Sequence, residues 1–133
     1  MIRVFTSKSQ RIGEIGEELA CMFLVKQGFV ILEKNYTKKF GEIDVIAQKS
    51  NTLHFIEVKS VSRENLDDVS GETGYRPEDN MHPKKMERFN RTVQYYLMEK
   101  NVSDETYYQI DLALVYIKHK TKQGRVKILE NII

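Results

Sequence analysis

The sequence predicts a mixed α/β domain, a central sheet of about five strands flanked by helices. Three observations carry this. Two segments repeat apolar residues at three- and four-residue steps, and others alternate apolar and polar residues. Their order is helix, three strands, a long irregular stretch, helix, two strands. The length of 133 residues fits one domain, and a 41% hydrophobic fraction can build a core.

The first helix is predicted from about Ser9 to Gln27, on the stripe Ile12, Ile15, Leu19, Phe23. Gly16 would let it approach the sheet closely, and Gly28 stands where a left-handed C-terminal cap belongs. Phe29 to Leu32 reads as a short first strand, and the polar run Asn35 to Phe40 as a turn ending at Gly41. Glu42–Gln48 and Leu53–Ser60 alternate with period two. In the first, Ile43, Val45 and Ala47 share a face; in the second, Phe55, Glu57 and Lys59 do. A two-residue loop at Ser50-Asn51 pairs Lys49 with Thr52 and, counting back along both strands, sets Asp44 opposite Glu57.

Residues 61–82 break the pattern, with six acids against two bases, two glycines and Pro77. A stretch this long without period reads as a flexible loop, a flap more than decoration. Pro83 suits the first turn of a second helix over 83–99, with Met86, Phe89, Val93, Tyr96 and Leu97 as its apolar stripe. Lys84, Arg88, Arg91 and Tyr95 lie on the opposite face, with Lys85 at its edge. Tyr107–Ile117 and Arg125–Ile132 complete the strands.

The net charge of +2 excludes a protein that binds nucleic acid through its bulk field. It conceals a basic body: without residues 61–82 the chain has 19 bases and 13 acids. Cys21 is the single cysteine, so no intrachain disulfide and no thiolate zinc site are expected. No apolar run approaches a membrane span and no secretory signal is visible, so a cytoplasmic protein without membrane contact is expected.

Asp44, Glu57 and Lys59 stand out because the strand pattern gives them a common direction. Two carboxylates facing each other repel, and a hard divalent cation removes the conflict. Mg²⁺ or Mn²⁺ would take Asp44 and Glu57, with the Val58 backbone carbonyl as a further ligand. Lys59 could orient the attacking water, steady charge on phosphorus, or act after losing its proton. Glu17, at the edge of the first helix's stripe, could hold a metal-coordinated water or a second metal. Those are the parts for phosphodiester hydrolysis. Taken singly, a Glu-x-Lys pair is more often an exposed salt bridge; the conjunction points to a site.

The segments Gly16-Glu17-Glu18, Gly41-Glu42-Ile43-Asp44-Val45 and Phe55-Ile56-Glu57-Val58-Lys59, with Gly28-Phe29 and Asn35, closely resemble the YraN-like family of uncharacterised proteins. That family has a restriction-endonuclease-like fold, belongs to the PD-(D/E)xK nuclease superfamily and is similar to archaeal Holliday-junction resolvases. The resemblance covers about residues 9–117 and implies a single endonuclease-like domain over 1–133. It also implies Asp44 and Glu57 as metal ligands, Lys59 as the catalytic lysine, and Glu17 as the helix glutamate of the resolvase-like branch. Where the family often has an arginine two places after the lysine, this chain has Val61. Asp111 matches a common family aspartate, though the position itself reads as structural.

Lys84, Lys85, Arg88 and Arg91 could lie along a phosphate backbone or form an ordinary solvated face. His54, His82 and His119 are scattered and read as bland. The leading expectation is a metal-dependent endonuclease acting on DNA, with branched or junction substrates in view. The alternatives are a non-catalytic nucleic-acid-binding module and a protein-interaction scaffold. A homodimer would suit junction cutting, though the sequence marks no interface.

Overall fold

The computed structural model describes residues 7–62, 82–118, 121 and 123–132. The expected loop at 61–82 falls largely outside them; Val61 and Ser62, however, are strand. The order is α1 (Lys8–Lys26), β1 (Val30–Lys38), β2 (Gly41–Lys49), β3 (Thr52–Ser62), α2 (Pro83–Glu99), β4 (Tyr107–Lys118) and β5 (Gln123–Leu129). The five strands form one sheet in sequence order. β3 and β4 are parallel, joined across α2, and the other neighbours are antiparallel.

Local chemistry sets the ends of the helices. Ser7 caps α1 with a capping box, its hydroxyl accepting from Gln10 N–H while Gln10 accepts from Ser7 N–H. Gly28 takes φ 95°, which closes the helix as its position suggested. α2 begins on Pro83 with His82 as its cap.

Among the described residues, the two larger of three core clusters lie on opposite faces of the sheet. Ala20 and Leu24 of α1 pack with Val45, Ala47, Ile56, Ala113, Val115 and Ile117. Phe89, Val93 and Tyr96 of α2 pack with Tyr36, Ile43, Ile46, Leu53, Phe55 and Ile110 on the other face. Full burial of such side chains contributes about 1.5–3 kcal/mol each. Among the described residues, no helix is long and apolar enough to cross a membrane.

Four expectations need correction. The first strand runs on to Lys38, so the turn is only Lys39-Phe40. The polar run from Lys34 is an edge strand, where one side of the backbone faces solvent and polar side chains cost nothing. Ile43 does not share a face with Val45 and Ala47: it lies in the α2 core and they lie in the α1 core. The alternation breaks at Asp44, in the stretch where its neighbour strand carries Asn35 at φ 53°. Tyr95 is half-buried, because Phe40 of the β1–β2 turn packs edge-on against it at 5.5 Å. Finally, β5 ends at Leu129; Ile132 N–H still bonds Ile110 O, past Asn131 at φ 54°.

The helices meet the sheet at two glycines. A Cβ on Gly16 would lie 1.7 Å from Ser60 Oγ and 2.8 Å from Ser60 Cβ. On Gly41 it would lie 2.4 Å from Thr92 Oγ1 and 3.1 Å from Arg88 O. Both contacts permit backbone approach that no other residue allows.

Gly16→Ala is therefore expected to destabilise the fold by about 1–3 kcal/mol, although alanine favours helix by about 1 kcal/mol. Ser60 Oγ can rotate away, but Ser60 Cβ cannot. A double-mutant cycle with Ser60→Gly in urea unfolding should return a favourable coupling of about 1 kcal/mol or more. Strict additivity would show that the close approach is not the constraint.

Candidate active site

The site lies where two strands part. β2 and β3 pair from Lys49↔Thr52 to Val45↔Ile56. Beyond that, β2 continues against β1 to Gly41 and β3 continues against β4 to Ser62. The two-residue loop and its register are those the sequence predicts. In the gap, Val58 N–H donates to Asp44 Oδ2 at 2.8 Å. A backbone donor with no ladder partner on that side is thus satisfied by a side chain.

A cavity of about 300 Å³ opens at the fork, lined by Gly41, Glu42, Asp44, Glu57, Lys85, Arg88 and Phe89. Asp44 and Glu57 therefore meet as expected. Glu57 is mostly buried, and Lys85 Nζ stands 3.4 Å from its Oε2. Burial, then the hydrogen bond to Asp44 and the Asp44 charge, push the Glu57 carboxyl up to about 8, and Lys85 opposes the shift. At neutral pH one proton holds the two carboxylates together.

Glu17 lies on α1, half-buried, with its carboxyl raised by burial and then by the charges of Asp44 and Glu42. Glu42 is raised too, by burial and Asp44. Between them stands Asn35, whose amide nitrogen, in its satisfied orientation, donates to Glu17 Oε1 at 3.1 Å and Glu42 Oε1 at 3.2 Å. Sequence reasoning missed the roles of Asn35 and Glu42. Asn35 lay in a segment read as a turn, although Lys34↔Val45 and Tyr36↔Ile43 bracket it opposite Asp44.

Lys59 shares the α2 face of β3 with Glu57, as Phe55↔Ile110, Glu57↔Leu112 and Lys59↔Leu114 run in step. It is half-buried and does not line the cavity. On α2, Lys85 and Arg88 line the cavity, while Lys84 and Arg91 are exposed. Among the described residues, no group of three or more His, Cys, Asp or Glu is placed to hold a metal ion. Asp44 and Glu57 form a pair to which Glu17 contributes charge.

The raised carboxyl sets a pH dependence. Glu57 titrates at its ordinary 4.5 in the unfolded chain and near 8 in the folded one. Between those values the folded state holds the extra proton, so stability falls as pH rises. Glu57→Gln keeps a donor toward Asp44 and removes the titration. It is expected to exceed the wild type by about 2 kcal/mol at pH 8 and to match it near pH 4. Urea unfolding at several pH values measures both; parallel profiles would refute the shift.

The description "Uncharacterised protein family UPF0102" matches residues 16–115, which contain Glu17, Asp44, Glu57 and Lys59. A UPF0102 protein of Campylobacter jejuni is 38% identical over 120 residues, covering 90% of this chain and 91% of its own. One from Campylobacter lari is 42% identical over 117 residues, 88% of each chain. Another, from a Nitratiruptor species, is 38% identical over 125 residues, 94% of this chain and 95% of its own. Coverage that reaches nearly end to end on both sides, over the fork and both helices, places the chain in the uncharacterised protein family UPF0102.

Proposed function

We propose that the protein is a Mg²⁺- or Mn²⁺-dependent endonuclease of the PD-(D/E)xK type that hydrolyses DNA phosphodiester bonds, with branched and junction structures as candidate substrates. The observation that carries this reading is the Asp44–Glu57 pair at the fork, with Glu57 pushed up to about 8. A structural carboxylate pair would be disfavoured there; a pair that waits for a cation accounts for it.

The donor set suits a hard divalent ion. Mg²⁺ commonly takes one or two protein carboxylates and completes its shell with water and substrate phosphate, so a third acid is not needed. Asp44, Glu57 and the Val58 carbonyl would hold it, with Glu17 acting through a water. Bound there, the ion would lower the pKa of its water and polarise a phosphoryl oxygen. Glu57 must first give up its proton. Lys59 is the group expected to steady the negative charge on phosphorus. Lys85 and Arg88 bring positive charge to the wall of the same cavity and would draw a phosphodiester into it. Lys84 and Arg91, exposed on α2, would meet flanking phosphates.

A second reading, a nucleic-acid-binding module without catalysis, has one observation in its favour. Lys85 already supplies Glu57 with a counter-charge at 3.4 Å.

Duplex, nicked, flap and four-way-junction DNA incubated with Mg²⁺ or Mn²⁺ separate the two. Cleavage is expected on at least one substrate, with a loss of about 100-fold or more in Glu57→Ala and Lys59→Ala. Cleavage that survives both substitutions refutes the assignment, and DNA binding without cleavage under either metal supports the module.

Binding itself offers a further check. Arg88→Ala and Arg91→Ala are each expected to weaken DNA affinity several-fold and to lower the slope of log affinity against log salt by about 1. An unchanged slope would leave the α2 face as a merely solvated surface.

A further inference from the structure

Among the described residues, Lys85 alone forms an ion pair with a carboxylate of the fork. Its Nζ stands 3.4 Å from Glu57 Oε2, and both residues line the same cavity. We propose that Lys85 is a positioning residue that holds the divalent cation's place at Glu57 and passes to a DNA phosphate when the cation enters. Lys85 has this role only if Asp44 and Glu57 are cation ligands, as the nuclease reading has them.

Helix chemistry does not account for a lysine here. α2 begins at Pro83, so Lys84 and Lys85 sit in its first turn, which holds no acid. The backbone N–H groups at that end carry partial positive charge, and carboxylates, not ammoniums, are stabilised beside them. Glu57 does account for it. Its side chain is only 12% exposed, so water screens its charge poorly and a counter-charge at 3.4 Å is strongly felt.

The contact is suited to exchange. The Lys85 side chain is 40% exposed, so its flexible stem can swing the ammonium outward without opening a void in the core. An ammonium brings one positive charge to two facing carboxylates, and a divalent cation brings two. The two cannot share Glu57 Oε2 at contact distance, because they repel. A released ammonium stays at the wall of the same cavity, with Arg88 one turn along α2. An anion relieves that cluster of like charge, and a phosphodiester drawn to the fork supplies one. Before the cation arrives, Lys85 closes off Glu57; afterwards the same group binds substrate.

The test is a titration of Mn²⁺ alone into the full chain near neutral pH, without DNA, following the free ion by EPR. The wild type is expected to bind Mn²⁺ saturably and Glu57→Gln to lose that binding. Lys85→Met should bind Mn²⁺ about five-fold more tightly or better, because the ion no longer meets an ammonium. Lys85→Arg keeps the charge and should stay within about two-fold of the wild type. Lys49→Met removes the same charge at the hairpin end of β2 and should also stay within about two-fold. Affinity for four-way-junction DNA in Mg²⁺, read on a Lys59→Ala background so that the substrate survives, should fall about five-fold in Lys85→Met. One substitution thus moves two ligands in opposite directions, which the loss of a merely structural ion pair would not do. Equal or weaker Mn²⁺ binding in Lys85→Met, or a DNA affinity that it leaves unchanged, overturns the exchange and leaves the nuclease reading standing. Absence of Glu57-dependent Mn²⁺ binding in both proteins removes the nuclease reading, and this role of Lys85 with it.

Discussion

Past Val45 and Ile56 the hairpin strands separate, and Val58 N–H donates across the gap to the Asp44 carboxylate. The rest of the molecule is arranged around that separation. β2 turns toward β1 and β3 toward β4, so the sheet stays continuous while its middle opens. Backbone groups that would have paired across the ladder need other partners. Asp44 supplies one, which fixes where its carboxylate sits. Glu57, next along β3, then has Asp44 at its side, with α2 beyond. Neither residue could take this position in an intact antiparallel ladder, where the strands would fill the space now left as a cavity.

The helices are drawn in at the same place. Gly41 begins β2 at the mouth of the fork, and its missing side chain lets Thr92 and the Arg88 carbonyl approach. Gly16 does the same for α1 against Ser60. Each close approach carries a charge to the opening: Lys85 and Arg88 with α2, Glu17 with α1. The Asp44 charge lies close enough to raise Glu17, Glu42 and Glu57, and the Asn35 amide and the Lys85 ammonium temper the repulsion. A near-neutral chain can thus hold a strongly acidic point faced by a basic wall, which its summed charge does not reveal.

What could be read from the sequence follows the range of the physics involved. The hairpin register was legible because a two-residue turn fixes it locally, and it brought Asp44 near Glu57; the parting of the strands past Val45↔Ile56, which makes their meeting a cavity wall and not a ladder pair, was not. Pro83 and Gly28 marked helix ends through their own backbone restrictions. The extent of β1 was hidden, because an edge strand is stabilised by its neighbour and tolerates polar residues. Tyr95 looked exposed on the helical wheel, and only the Phe40 ring, brought by a distant turn, covers it. Asn35 was invisible as a site residue for the same reason: its role depends on β1 passing opposite Asp44. His54 and Asp111 were each read alone, one as bland and one as structural. Their pairing spans 57 positions and arises from the parallel β3–β4 register, which sets His54 beside Gln109 and Ile56 beside Asp111.

Two carboxylates of the sheet, the buried Asp111 and the mostly buried Glu57, contrast in how they are satisfied. Asp111 accepts from an imidazole, an amide and a backbone N–H. Its lone pairs have fixed protein donors, and the arrangement is complete without anything added. Glu57 has no such set. Its neighbours are a second carboxylate and one lysine, and it reaches neutrality by holding a proton well above its ordinary range. A proton is a replaceable solution, since any stronger cation of suitable geometry competes for the same oxygens. The aspartate therefore serves the fold whatever binds nearby, whereas the glutamate holds an exchangeable proton between Asp44 and Lys85, which the proposed cation would have to displace.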